Sequence, residues 1–174
     1  MAELYLITNG ANPTTASQVA VTTGTAIKTL LQIKLGLTAN RGKVVEWGIS
    51  FDGFAAAQPI ICELLTTGTI AATSLTAHVA AGIQNLDPFG TTPTTNNPFT
   101  FSTSTTGYAT GSAPTEGSIA ASRMLDLQHV APTNQYIKQW PLGREPMFSP
   151  DNYLRIRVKA AAAVNAYCYA IIEV

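Results

Sequence analysis

The segment 153–174 leaves this chain little freedom of fold. Tyr-Leu-Arg-Ile-Arg-Val-Lys (153–159) sets Leu154, Ile156 and Val158 in strict alternation with Arg155, Arg157 and Lys159. A two-residue period separates an apolar from a wet face only in an extended strand. A four-alanine link follows, then Val-Asn-Ala-Tyr-Cys-Tyr-Ala-Ile-Ile-Glu-Val (164–174). That run is nearly free of charge and rich in β-branched and aromatic residues, which suits a strand buried on both sides. Two such strands at the end of the sequence predict an all-β barrel or sandwich whose last strand belongs to the core.

Turn signals divide the rest of the chain. Residues 1–24 read as an extended arm: Leu4–Thr8 can form a short strand, but Asn9-Gly10 and Asn12-Pro13 interrupt it. Such an arm either packs along its own barrel or reaches a neighbouring subunit, with Leu4 and Tyr5 as its candidate contacts. Residues 25–174 form the single domain, long enough to bury a core. Within it, 25–35 and 43–51 read as strands, the second with Val45, Trp47, Ile49 and Phe51 on one face before the Asp52-Gly53 turn. Further strands are expected at 59–66, 122–130 and 134–140. Between 85 and 118, Pro, Asn and Gly recur, and a plain loop of that length is improbable. It holds either a short hairpin around Phe99 or an interaction loop. Pro141-Leu-Gly-Arg-Glu-Pro146 reads as a rigid turn, because proline fixes φ and removes a ladder donor. The sum is about eight strands, a long mid-chain excursion and a buried terminal strand, best fitted by a jelly-roll-like β-sandwich or barrel.

Charged residues make up only 11% of the chain, and threonine roughly one residue in seven. Two readings stay open: a Thr-rich β protein, or a surface meant to be covered. Ten basic and ten acidic residues cancel, so no cationic surplus for nucleic acid is visible. The cluster Arg155, Arg157 and Lys159 reads as a solvated strand face or a partner contact. No secretory signal and no membrane-length apolar run is present. Cys62 and Cys168, far apart in sequence, read as reduced core residues, in line with synthesis in a cytoplasm.

Chemistry-bearing patterns are sparse. His78 and His129 have no metal-ligand spacing to Cys, Asp or Glu. Asp126 and His129 lie three apart, on opposite faces of a strand, and are not an obvious acid–base pair. The carboxylates are scattered, and neither a nucleophile elbow nor a phosphate-cradling loop occurs. No catalytic, metal or cofactor residue is therefore named. Trp140, Tyr108 and Tyr136 could stack on sugars, whereas Trp47 falls on a core face. Arg144 and Glu145, on the proline-stiffened turn, form either a local ion pair or a docking loop.

Three stretches carry a family likeness: Val-Glu-Trp-Gly-Ile-Ser-Phe-Asp-Gly (45–53), Gln-Trp-Pro-Leu-Gly-Arg-Glu-Pro (139–146), and Leu-Arg-Ile-Arg-Val-Lys-Ala (154–160) with the Val-Asn-Ala-Tyr-Cys-Tyr that follows. Together they resemble small all-β virion proteins of tailed bacteriophages, among them jelly-roll decoration (cement) proteins of icosahedral heads. The resemblance implies a non-enzymatic protein that oligomerises, often as a trimer, on the outer face of a major-capsid lattice. Its expected partners are the major capsid protein and itself, with no nucleic acid or membrane. Candidate interface residues are Trp140, Arg144, Glu145, Phe99, Tyr108, Leu4 and Tyr5. The alternative is a carbohydrate-binding module of a head-fibre or tail adsorption protein, using Trp140 and the 85–118 segment.

Overall fold

Alternating buried and solvent-facing residues run along the long strands, and the buried rows of two sheets face one another. The computed structural model describes residues 2–53, 58–111 and 113–174. The strands are β1 (Leu4–Thr8), β2 (Val21–Thr22), β3 (Lys28–Leu35), β4 (Gly42–Asp52), β5 (Ile60–Thr66), β6 (Thr76–Ala77), β7 (Ile83–Asn85), β8 (Phe99–Thr100), β9 (Gly107–Tyr108), β10 (Arg123–Val130), β11 (Gln135–Gln139), β12 (Met147–Phe148), β13 (Tyr153–Lys159) and β14 (Asn165–Glu173). Eight of them have five or more residues, the number expected from the turn spacing; the others are short pairings within connections.

The fold is an all-β sandwich of two antiparallel sheets. One runs β11-β4-β14-β1-β7, with β12 added to β4 and β2 to β14. The second runs β10-β5-β13-β3-β9-β6, with β8 added to β3. Leu30, Leu31, Ile49, Leu64, Leu154, Ile156, Val158, Ala166, Cys168 and Ile172 meet between them around the fully buried Trp47. Each fully buried aliphatic side chain contributes about 1.5–3 kcal/mol.

Several expectations are corrected. Residues 4–8 are not an arm: β1 lies between β14 and β7, in register from Leu4↔Glu173 to Thr8↔Tyr169. Tyr5 is 1% exposed and packs edge-on against Phe99, with ring centroids 5.2 Å apart. On β4 the buried face is Val44, Trp47, Ile49 and Phe51, with Val45 only half-buried. A bulge causes this. Pairing steps from Glu46↔Ile171 to Val44↔Ile172, so an extra residue on β4 reverses the alternation. β14 is buried on one side only: Ala166, Cys168, Ala170 and Ile172 point inward, while Asn165 and Tyr167 reach solvent. Cys62 and Cys168 are free and buried, as expected of core thiols, and burial pushes the Cys62 thiol up to about 12.

The largest difference concerns the polar face of β3 and β13. Arg155 is 0% exposed, neither solvated nor offered to a partner. The 67–118 excursion lies over it. Arg155 Nη1 donates to the Glu116 carbonyl (3.0 Å) and carboxylate (3.2 Å), and Nη2 donates to the Ile70 carbonyl. Thr29 donates through its backbone N–H and its hydroxyl to the Glu116 carboxylate, both at 2.6 Å. Gln32, opposite Arg155, exchanges hydrogen bonds with the Ala72 backbone. Lys28 Nζ donates to the carbonyls of Thr22 and Thr110, and burial lowers its pKa. Among the described residues no hairpin forms around Phe99; β8 and β9 each pair with β3 instead.

Two stability outcomes follow. Tyr5→Ala should cost about 3–5 kcal/mol in urea unfolding, whereas Leu4→Ala, at the solvent-facing start of β1, should cost under about 1 kcal/mol. Glu116→Ala strands a buried cation and should cost about 3 kcal/mol. Adding Arg155→Met to that variant should recover part of the loss; no recovery would show that the excursion is not held by this pair.

Candidate interaction site

One end of the sandwich collects the features that point to a partner. β3 ends there and β4 begins, β5 ends and β10 begins, and β1 starts beside the end of β14. Three tight turns project from this end or its rim, each closed by a hydrogen bond from the fourth residue's N–H to the first residue's carbonyl. These are Gly36–Ala39 (3.2 Å), Asp87–Gly90 (3.0 Å) and Pro141–Arg144 (3.0 Å). Each holds one large apolar side chain in water: Leu37 is 88% exposed, Phe89 96% and Leu142 94%. A central turn residue points away from the chain it reverses and cannot reach the core. In the third turn Gly143 adopts φ +81°, the left-handed geometry that a type II turn requires at its third position. In the second, the Asp87 carboxylate accepts from the Phe89 N–H at 2.9 Å, a local lock typical of Asp. The Gly36 turn is clamped from outside, its N–H donating to the Pro98 carbonyl and Thr38 Oγ1 reaching Asn96 and Asn97.

Of the residues singled out from sequence, Leu4 is partly exposed at the start of β1, and Arg144 is exposed at this end. Tyr5 and Phe99 are core residues and Glu145 is buried, so none of the three is available to a partner in this conformation. Trp140 is half-buried against the core, and its N–H donates to the Val45 carbonyl. Among the described residues Arg144 and Glu145 form no ion pair. The Pro141–Pro146 turn therefore presents Leu142 and Arg144, not Trp140 and Glu145. Leu37 and Phe89 were missed entirely. The available signal was a single apolar residue flanked by turn formers, as in Gly36-Leu37-Thr38 and Pro88-Phe89-Gly90.

Tyr108 lies elsewhere. It is half-buried and lines a cavity of about 590 Å³ at the opposite end, beneath residues 9–22, together with Asn9, Gln18, Thr22, Thr110 and Asn165. Its ring leans on His78, with centroids 5.2 Å apart. His78 is buried with neither ring nitrogen hydrogen-bonded, and burial lowers its pKa to about 4. His129 is exposed. On β10, Asp126 points inward and accepts hydrogen bonds from Trp47 Nε1 (3.1 Å), Tyr136 Oη (2.8 Å) and Gln128 Nε2 (3.0 Å). It ties the two sheets together along the flank where β10 and β11 form their edges. Burial, then the bond to Asp126, pushes the Tyr136 hydroxyl up to about 12. Among the described residues no three His, Cys, Asp or Glu side chains gather where they could hold a metal, and no helix is long and apolar enough to cross a membrane.

No protein-family model matches the chain, and comparisons with curated proteins and with solved structures return no match.

The buried His78 makes stability pH-dependent. Its folded pKa of about 4 lies below the ordinary histidine value of 6.5, so between those values the unfolded chain binds a proton that the folded chain excludes. Its contribution is intact above pH 6.5 and is lost progressively as pH falls toward 4, up to about 3 kcal/mol. In urea titrations, His78→Leu should flatten the slope in that window. An unchanged slope would assign the acid sensitivity to other groups.

Proposed function

We propose that this protein is a non-enzymatic decoration (cement) protein of a tailed-phage head, docking end-on to the major-capsid lattice and adding stability without chemistry. The carrying observation is that Leu37, Phe89 and Leu142 each stand nearly fully exposed on a hydrogen-bonded turn at one end of the sandwich or its rim. Single exposed apolar residues are ordinary, but three held out on stiff turns are pre-organised anchors. Little conformational entropy remains to be lost when they bind, and buried apolar anchors dominate interface energetics.

Strand order supports the architecture in this reading. Counting only the eight long strands, one sheet runs sixth, third, eighth, first, and the other fifth, fourth, seventh, second. Successive strands cross between sheets except the fourth and fifth, which lie side by side in one sheet, and first pairs with eighth, second with seventh, third with sixth and fourth with fifth. This pairing supports reading the sandwich as a rolled-up double Greek key, the jelly roll of many capsid proteins. Low charge density favours the same reading, since Thr and Asn contacts are cheaper to desolvate than ions. Assembly as a homotrimer on the capsid exterior would multiply weak contacts from each subunit. The second reading, a carbohydrate-binding module, draws on the 590 Å³ cavity, where Tyr108 stands among Asn, Gln and Thr side chains suited to a neutral sugar.

Purified protein mixed with undecorated heads should co-sediment with them and raise the temperature at which they rupture. Leu37→Asp, Phe89→Asp and Leu142→Asp should each leave the unfolding free energy within about 0.5 kcal/mol of wild type. Each should also weaken head binding by about tenfold or more. Absent head binding, with saturable binding to cell-surface glycans that Tyr108→Ala abolishes, would favour the sugar module.

A further inference from the structure

The docking end also holds a cleft of about 510 Å³ whose lining includes Arg41, Ser122, Arg123, Met147, Ser149 and Asn152. Arg41 sits in the turn entering β4 and Arg123 opens β10, so each sheet supplies one guanidinium. Among the described residues the ion pairs are Lys43–Glu173, Arg155–Glu116 and Arg157–Glu63. Among the described residues Arg41 and Arg123 therefore have no carboxylate partner, and no acidic side chain lines the cleft. In a chain of zero net charge, this is a local surplus of two cations facing one concavity.

The cleft is also partly pre-organised. Arg123 Nη1 donates to the Met147 carbonyl at 2.8 Å, which fixes the guanidinium and leaves its other donors free. Asn152 is held by its bond to Ser149 Oγ at 2.6 Å. Guanidinium forks match a carboxylate in a planar, two-bond geometry.

We infer that this cleft receives the carboxylates of an acidic segment on the partner protein; the inference rests on the docking reading above. An organic acid fits better than free phosphate because partly exposed Met147 offers an apolar wall to a carbon chain. A sugar acid fits less well, because the one aromatic ring in the lining, Phe148, is buried and offers no face for stacking.

The test titrates the full chain, isotope-labelled for amide NMR, with a capped tetrapeptide of alternating Asp and Glu. N-acetylneuraminate and inorganic phosphate are run beside it. The peptide should shift the amides of Arg41, Ser122, Arg123, Ser149 and Asn152, and its binding should weaken with added salt. An Arg41→Gln, Arg123→Gln double variant should bind it at least about tenfold more weakly. The inference is overturned if the peptide causes no shifts, if the double variant binds it equally well, or if neuraminate or phosphate binds more tightly. Both side chains are exposed, so the variant should fold; unchanged thermal unfolding confirms this. Head binding separates the two ideas. If wild type and the double variant decorate equally, the cleft proposal falls and the docking reading stands. If wild type does not bind heads, the docking reading falls and the peptide titration alone decides the cleft.

Discussion

Burial of the Arg155 guanidinium is the constraint around which half of this structure is arranged. A cation removed from water costs several kcal/mol unless its donors are met, and β13 places this one mid-strand on the outer face of a sheet. Partners come from both limbs of the excursion: the Ile70 carbonyl near its start and Glu116 near its end. Glu116 in turn accepts from Thr29 on the neighbouring strand, and Gln32 binds Ala72 and Thr105. A segment too polar to build a core of its own is thereby fixed as a lid. Its order is borrowed from the sheet, and the polar face of the sheet is satisfied by the lid.

How much of this was legible varies with the range of the interaction. Alternation in 153–159 identified Leu154, Ile156 and Val158 as core residues, because strand period is a local property. The same pattern could not reveal that Arg155 is covered, since its partners lie 85 and 39 residues away. A bulge on β4 displaced Val45 for a related reason: it is set by the match with β14, not by the sequence of β4 alone. β1 was assigned to an arm because it is short and the turn formers Asn9-Gly10 and Asn12-Pro13 follow it directly. Tyr5 and Ile7 suffice once β14 and β7 supply ladder bonds on both sides. At the candidate site, an aromatic ring and a charge beside the stiffening prolines drew attention to Trp140 and Glu145, yet turn geometry decides exposure. The turn at 141–144 withdraws its flanks and advances Leu142, a matter of backbone path and not of residue type.

The two ends of the sandwich consequently differ in character. One bears stiff turns with apolar tips and a cationic cleft. The other is roofed by residues 9–22 over a cavity lined with amides and hydroxyls. Between them, Asp126 joins Trp47 and Tyr136 across the sheets, so the edge strands β10 and β11 are tied to the core. A rigid body with distinct poles is suited to standing on a surface in one orientation.

The position of β14 has a kinetic consequence. It lies between β4 and β1, and its first contact with β1 joins Leu4 to Glu173. Both neighbours leave the ribosome before β14 does, so that sheet cannot close until β14 has followed them. Until then β1 and β4 expose ladder edges and apolar faces with no partner. Pairings of such long sequence separation fold slowly, and the waiting intermediate is vulnerable to wrong association. A sparsely charged chain has little electrostatic repulsion to protect it in that interval, so yield in the cell should depend on chaperone capacity more than on the stability of the finished sandwich.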